Sequence, residues 1–175
     1  VLNEMHARKY WRTGLRPGNI VLQALSFIMF TGGLPLSDGL QAMGLCVVPV
    51  GIEGGTKRVV EFARLTRPDV LIATPSFGEY LIDQTPGLIG KDAAELGIRW
   101  FYCAGEPGAG IPALRKKLQE GFGAKVFDHT GGGHAFHGIS CDEPPEQFSG
   151  MHFVSEDHCL LELIDPKTKK NNSRP

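Results

Sequence analysis

Arg67-Pro68-Asp69-Val70-Leu71-Ile72-Ala73-Thr74-Pro75-Ser76-Phe77 is the stretch on which the reading of this chain turns. Asp69 to Ala73 is a short apolar run between two prolines, the pattern of a fully buried strand. The segment from Ser76 to Gln84 then reads as a helix. A strand that feeds a helix through a tight turn is the unit of an α/β sheet. Ser76 is placed to cap the helix. The amides of that turn either face an anion or serve the cap alone.

The same unit recurs on both sides. Val1 to Leu15 reads as a helix with Leu2, Met5, Tyr10 and Trp11 on its apolar side. After a turn at Arg16-Pro17-Gly18-Asn19, Ile20 to Leu25 fits a buried strand, and Pro35 to Gly44 a helix with Leu36, Leu40 and Met43 on one face. Leu45 to Val50 is a second strand, and Thr56 is an N-cap for a helix over Lys57 to Thr66. Beyond the opening stretch, Ile98 to Cys103 predicts a strand, Ile111 to Glu120 a helix and Ala124 to Asp128 a strand. Met151 to Val154 and Cys159 to Ile164 read as two strands with no helix between them. The expected fold is α/β: a mostly parallel sheet flanked by helices, with a short antiparallel β segment near the C-terminal end.

Of the 175 residues, 42% are hydrophobic and 21% charged, the balance of a globular domain with a sizeable core. The net charge of −1 supplies no field that would draw nucleic acid or an anionic membrane. The longest apolar run, from Ile20 to Phe30, is too short to span a bilayer. Cys46, Cys103, Cys141 and Cys159 form no C-x-x-C pair and read as reduced thiols of a cytoplasmic protein. The chain opens within a helical pattern and closes on a polar turn, so a fragment is expected.

Two further strand ends carry candidate chemistry. Cys103-Ala104-Gly105-Glu106-Pro107-Gly108 offers small residues that let a flat ligand approach the backbone, and Glu106 can accept a hydrogen bond. In Phe127-Asp128-His129-Thr130-Gly131-Gly132-Gly133-His134, consecutive glycines expose amides suited to phosphate. Neither the Lys-Ser/Thr of a P-loop nor dinucleotide glycine spacing is present. His129, His134, His137, Cys141, His152 and His158 crowd one stretch, either as zinc donors or as scattered polar histidines.

Taken in order, these segments resemble the phenylacetate–CoA ligase family of adenylate-forming enzymes. The resemblance is carried by Arg16-Pro17-Gly18-Asn19-Ile20-Val21, Phe30-Thr31-Gly32-Gly33-Leu34, Arg67-Pro68-Asp69-Val70, Ala73-Thr74-Pro75-Ser76 and Gly105-Glu106-Pro107. Gly150-Met151-His152-Phe153, Glu156-Asp157-His158 and Leu163-Ile164-Asp165-Pro166 continue it. It implies a partial N-terminal, AMP-binding domain over residues 1–175, without the small C-terminal domain. It implies a reaction in which a small carboxylic acid, ATP and CoA give acyl-CoA, AMP and pyrophosphate with Mg2+, the fragment alone being inactive. By the family's pattern, Gly105, Glu106 and Pro107 line the adenine pocket, with Asp128, His129 and Thr130 against the nucleotide. Phe77 and Tyr80 shape the acid pocket, and Gly131, Gly132 and Gly133 form the loop between acid and α-phosphate. His134 stands where the family has a magnesium-binding Glu, and imidazole is a poorer magnesium ligand than carboxylate. That departure leaves open a diverged homologue that binds nucleotide or acyl-adenylate without transfer to CoA. The resemblance also makes Cys103, His137, Cys141 and His152 zinc candidates and a homodimer an expectation.

Overall fold

A computed structural model of the chain describes residues 1–28, 31–131, 136–142 and 150–170. Its elements run α1 (Leu2–Arg12), β1 (Ile20–Gln23), α2 (Leu34–Ala42), β2 (Cys46–Pro49), α3 (Thr56–Thr66), β3 (Val70–Ala73) and α4 (Pro75–Ile89). A short 3₁₀ turn at Ala93–Leu96 follows, then β4 (Trp100–Cys103), α5 (Pro112–Phe122), β5 (Lys125–Thr130), β6 (Gly138–Ser140) and β7 (Met151–Phe153). The strands form one sheet in the order β2-β1-β3-β4-β5-β6-β7. From β2 to β5 every neighbouring pair is parallel, and β6 and β7 are added antiparallel. The α/β expectation and the antiparallel close are both met.

Parallel strands need helices on both faces. One face packs Leu22, Leu71, Phe101 and Val126 against α3, α4 and α5 through Val59, Leu81, Leu118 and Phe122. The other packs Val21, Ile72, Tyr102 and Phe127 against α1 and α2 through Tyr10, Leu36 and Leu40. At the N-terminal end of the strands, the Asp69 carboxylate accepts from Asn19 Nδ2 (3.1 Å), the Ile20 amide (3.0 Å) and Arg99 Nη1 (3.3 Å). One side chain thus aligns β1, β3 and β4. Pro49, with no N–H to give, sits in edge strand β2, where the ladder does not need one.

Several boundaries differ from expectation for local reasons. Helix α4 is capped by Thr74, whose Oγ1 accepts from the Phe77 amide at 3.2 Å, not by Ser76. It also runs on through Pro86 to Ile89, because buried Thr85 bonds the Leu81 carbonyl at 2.6 Å and Ile89 packs on the core. Thr56 lies inside α3 with Gly55 as its uncapped predecessor. Cys159 to Ile164 forms no strand; Leu160, Leu161, Leu163 and Ile164 are exposed. Gly138–Ser140, too short to announce itself by periodicity, is the strand that pairs with β5.

Close packing of α4 on the sheet is testable. A Cβ at Gly78 would overlap the ring of buried Phe101 and meet Leu118 Cδ2 at 2.9 Å, whereas one at Gly87 meets nothing within 4 Å. Gly78→Ala is expected to lower stability by about 1–3 kcal/mol despite alanine's better helix propensity. Gly87→Ala is expected to raise it by about 0.5–1 kcal/mol. Urea unfolding midpoints of the two variants decide the point.

Candidate active site

The strand order around β1, with β2 on one side and β3, β4 and β5 on the other, gives an open sheet whose carboxyl ends face one rim. There the chain leaves a cavity of about 140 Å³. It is lined by Leu25, Thr31, Gly32 and Leu36 from the β1–α2 side, and by Ala104, Gly105, His129, Thr130 and Gly131 from the ends of β4 and β5. Gln23, wholly buried at the end of β1, holds the first wall in place. Its Nε2 donates to the carbonyls of Gly32 (2.6 Å) and Gly33 (2.9 Å), and its Oε1 accepts from Ser37 Oγ at 2.6 Å. Each polar atom of the amide is satisfied, which makes burial of Gln23 tolerable and the turn rigid.

Behind the second wall lies a set of buried polar side chains from α1. Met5, His6, Lys9 and Tyr10 form the helix's inner face, while Trp11 is 51% exposed and stacked under Arg16 at 4.0 Å. The expectation that Trp11 packs inward is therefore corrected; His6 and Lys9 take the inner positions at i, i+3 and i+4 spacing. Lys9 Nζ lies 3.4 Å from His129 Nδ1 and 3.3 Å from the Thr130 carbonyl oxygen, to which it donates. Burial alone pulls the Lys9 ammonium down to about 7. Burial, then the charge of Lys9, lowers His6 to about 3 and holds His129 well below its ordinary value. His129 also packs edge-on against Tyr10 and Tyr102, and His6 against His137. No acid contributes to the shifts of Lys9, His6 or His129.

On the opposite side of the rim, the Glu106 carboxylate accepts from the Ser76 amide at 2.7 Å. The Ser76 hydroxyl and amide hold its pKa below the usual carboxylate value. An internal carboxylate thus occupies the α4 N-terminus that the sequence left open to an anion. Asp128 faces away from the cavity, because neighbours on a strand alternate faces and His129 takes the cavity side. Burial raises its carboxyl to about 6, against the pull of Arg115 and the amide of Gly110.

The cavity therefore brings together Gly105, His129, Thr130 and Gly131, with Glu106 and Pro107 on the adjoining exposed turn. It does not include Phe77, which packs into the core under α4, or Tyr80, which is 49% exposed on the same helix. Gly132, Gly133 and His134 lie outside the described residues. Of the zinc candidates, Cys103 is buried in the α4–α5 face, whereas β7 carries His152 exposed at the sheet edge. Among the described residues no group of three His, Cys, Asp or Glu side chains is placed to hold a metal. Among them, too, no helix is long and apolar enough to cross a membrane. Gln23, Lys9 and His6 were missed as site residues. A lone amide in an apolar strand, and basic residues on an apolar helix face, were their only signals.

No protein-family model matches the chain. Phenylacetate–coenzyme A ligase of Thermus thermophilus is 34% identical over 168 residues, 96% of this chain and 37% of that protein. Its Escherichia coli counterpart is 28% identical, covering 91% of this chain and 36% of that protein. The chain thus spans just over a third of the length of these curated relatives. A 2-hydroxyisobutyryl-CoA ligase solved with 2-HIB-AMP superposes with a TM-score of 0.70 at 27% identity, over 74% of this chain and 28% of that one.

The buried amine sets a pH dependence. An unfolded chain holds the Lys9 proton up to its ordinary 10.5, while the folded chain releases it near 7. Between those values the unfolded state binds more protons, so Lys9 makes stability rise with pH, by at most roughly 1.4 kcal/mol per pH unit. Below 7 the burden is constant. Lys9→Met is expected to raise stability at pH 7 by about 1–4 kcal/mol and to flatten this slope. Thermal unfolding between pH 6 and pH 10 measures both.

Proposed function

The chain belongs to the phenylacetate–coenzyme A ligase family, and we propose that it forms the central part of the AMP-binding domain of a carboxylic acid–CoA ligase. The observation that carries this reading is the cavity at the carboxyl rim of the sheet. Its walls include Thr31-Gly32 and Gly105, from two of the segments that carry the family resemblance, and His129-Thr130-Gly131, which stands where the family places the nucleotide. Their small residues leave room for a flat base beside the Gly105-Glu106-Pro107 turn. Leu25, Leu36 and Ala104 give the carbon skeleton of an acid an apolar seat.

In this reading the acid's carboxylate oxygen attacks the α-phosphorus of ATP, and the bond to pyrophosphate breaks. The CoA sulfur then attacks the acyl carbon, and AMP leaves. The chain's own part is orientation and exclusion of water: the turn fixed by Gln23 closes one side of the acid, and the end of β5 the other. Magnesium would screen the triphosphate charge, and the reading assigns it no ligand among the described residues. Phe77 and Tyr80, which do not line the cavity, take no part in this reading. The reaction is placed in the cytoplasm of the cell that makes the protein.

Gly131 tests the reading at one atom. With φ at +112°, an added Cβ would meet His137 Nδ1 at 2.7 Å and the Phe136 carbonyl oxygen at 2.8 Å. The protein that carries this chain is expected to release pyrophosphate from ATP with a short or aryl acid, and to form thioester only when CoA is added. Gly131→Ala should lower kcat/KM by about a hundredfold, since misplacement by about an ångström costs on that order. Pyrophosphate release without thioester would instead support the homologue that keeps its acyl-adenylate. Silence with every acid would overturn the ligase reading.

A further inference from the structure

One buried amine stands behind the cavity, and no acid among the described residues balances it. Lys9 is wholly buried on the inner side of α1. Its Nζ donates to the Thr130 carbonyl oxygen at 3.3 Å, lies 3.4 Å from His129 Nδ1 and stands 5.0 Å from the centre of the Tyr10 ring. Thr130 and His129 both line the cavity, so the amine sits directly behind its wall. The titratable groups around it are His6 and Tyr10 on its own helix, Tyr102 beyond Tyr10, His129 on β5, and His137 against His6. The acids of the adjoining elements are exposed or taken. Asp38, the one acid of α2, is exposed; Glu4 and Asp157 are bonded to Arg8, and Asp142 to Lys125. Burying an ammonium without a counter-ion favours loss of its proton, and an anion placed nearby favours its return. Coulomb attraction falls only as the inverse of distance, so that anion need not touch the amine. The rim cavity, with exposed Thr130 on its wall, is where one can come close.

Resting on the ligase reading above, we propose that Lys9 is a proton-linked counter-charge for the cavity: an oxyanion that binds against Thr130 draws a proton onto the Lys9 amine, so that binding the anion and taking up the proton are one event. The anion is a carboxylate or a phosphate, which present the same charged oxygens. Lys9 touches neither ligand nor reacting atoms; it is a positioning residue that acts through its field across the Thr130 carbonyl. A neutral guest of the same shape gains nothing from it. The amine, pulled down by burial to about 7, is mostly unprotonated at pH 8 in the free protein. An opposite charge nearby raises an amine by about one unit or more, so binding at that pH takes up roughly half a proton. By linkage, affinity for the anion then falls about threefold per pH unit between 7 and 9. Well below 7, where Lys9 is protonated with or without ligand, this dependence disappears.

The test uses the whole protein and two matched pairs of probes, AMP with adenosine and phenylacetate with phenylacetamide. Each is titrated by calorimetry at pH 8 in Tris and in Hepes, whose different ionisation heats count the protons exchanged. Pyrophosphate release from ATP with a panel of acids is followed in parallel. Uptake of roughly half a proton is expected with at least one charged probe and none with its neutral partner. Uptake with AMP alone identifies the anion as a phosphate, and uptake with phenylacetate alone as a carboxylate. In ¹³C spectra of the Lys9 side chain, the titration midpoint should rise by about one unit when that probe is bound. Lys9→Met should abolish the uptake and flatten affinity against pH, a profile that a merely structural Lys9 would leave unchanged. The wild-type midpoint decides the matter even if the variant does not fold. Absence of uptake with both charged probes, failure of both to bind, uptake that survives Lys9→Met, or an unmoved Lys9 midpoint each overturns the proposal. Pyrophosphate release without linked uptake sinks this inference and leaves the ligase reading standing. Linked uptake without pyrophosphate release does the reverse.

Discussion

Two-sided burial of the parallel strands governs everything else in this chain. Each of β1, β3, β4 and β5 sends alternate side chains into two separate cores, so helices must cover both faces. Once they do, the strand ends have nowhere to go but the two rims. At one rim Asp69 gathers the starts of β1, β3 and β4 with hydrogen bonds to Asn19, Ile20 and Arg99. The opposite rim is thereby free to carry loops, and the cavity forms there between the ends of β1, β4 and β5.

The cavity rim is stiff because its polar groups are used against one another. Gln23 spends its whole amide on the Gly32–Gly33 turn and Ser37. Glu106 takes the Ser76 amide at the start of α4, so the exposed Gly105-Glu106-Pro107 turn is tied to a helix end. Against these satisfied groups, the buried Lys9–His129 pair stands out. Burial drives Lys9 down to about 7 and no carboxylate compensates it. A group that weakens the fold at such a position is the usual mark of a site kept for binding rather than for stability.

Much of the motif content that resembles a ligase family turns out to hold the scaffold. Asp69 of the Arg67-Pro68-Asp69 run is a strand aligner. Asp157 of the Glu156-Asp157-His158 run makes a two-pronged contact with Arg8 on α1 at 2.7 and 2.8 Å, which seats the C-terminal segment. Ser155, buried beside it, accepts from the His137 amide at 3.2 Å. Order and spacing of such residues report the fold first, and chemistry only where they reach the cavity.

The sequence by itself determined the helix-flanked layers, the mostly parallel sheet and the strand-end loops between which the cavity lies. Those follow from local periodicity and from prolines and glycines, which act through a residue's own neighbours. The Gly105 and His129-Thr130-Gly131 segments were legible for the same reason: small residues after an apolar run are visible in one dimension. Only the tertiary structure decided which side of a strand each residue takes and what it meets there. It turned Asp128 away from the cavity and His129 toward it, left Tyr80 outside, and buried Cys103 in one core while His152 stayed exposed at the sheet edge. It also put Lys9, more than a hundred positions from His129 along the chain, against that ring. Periodicity cannot supply such a pairing, because α1 and the end of β5 become neighbours only when the sheet between them buries both its faces.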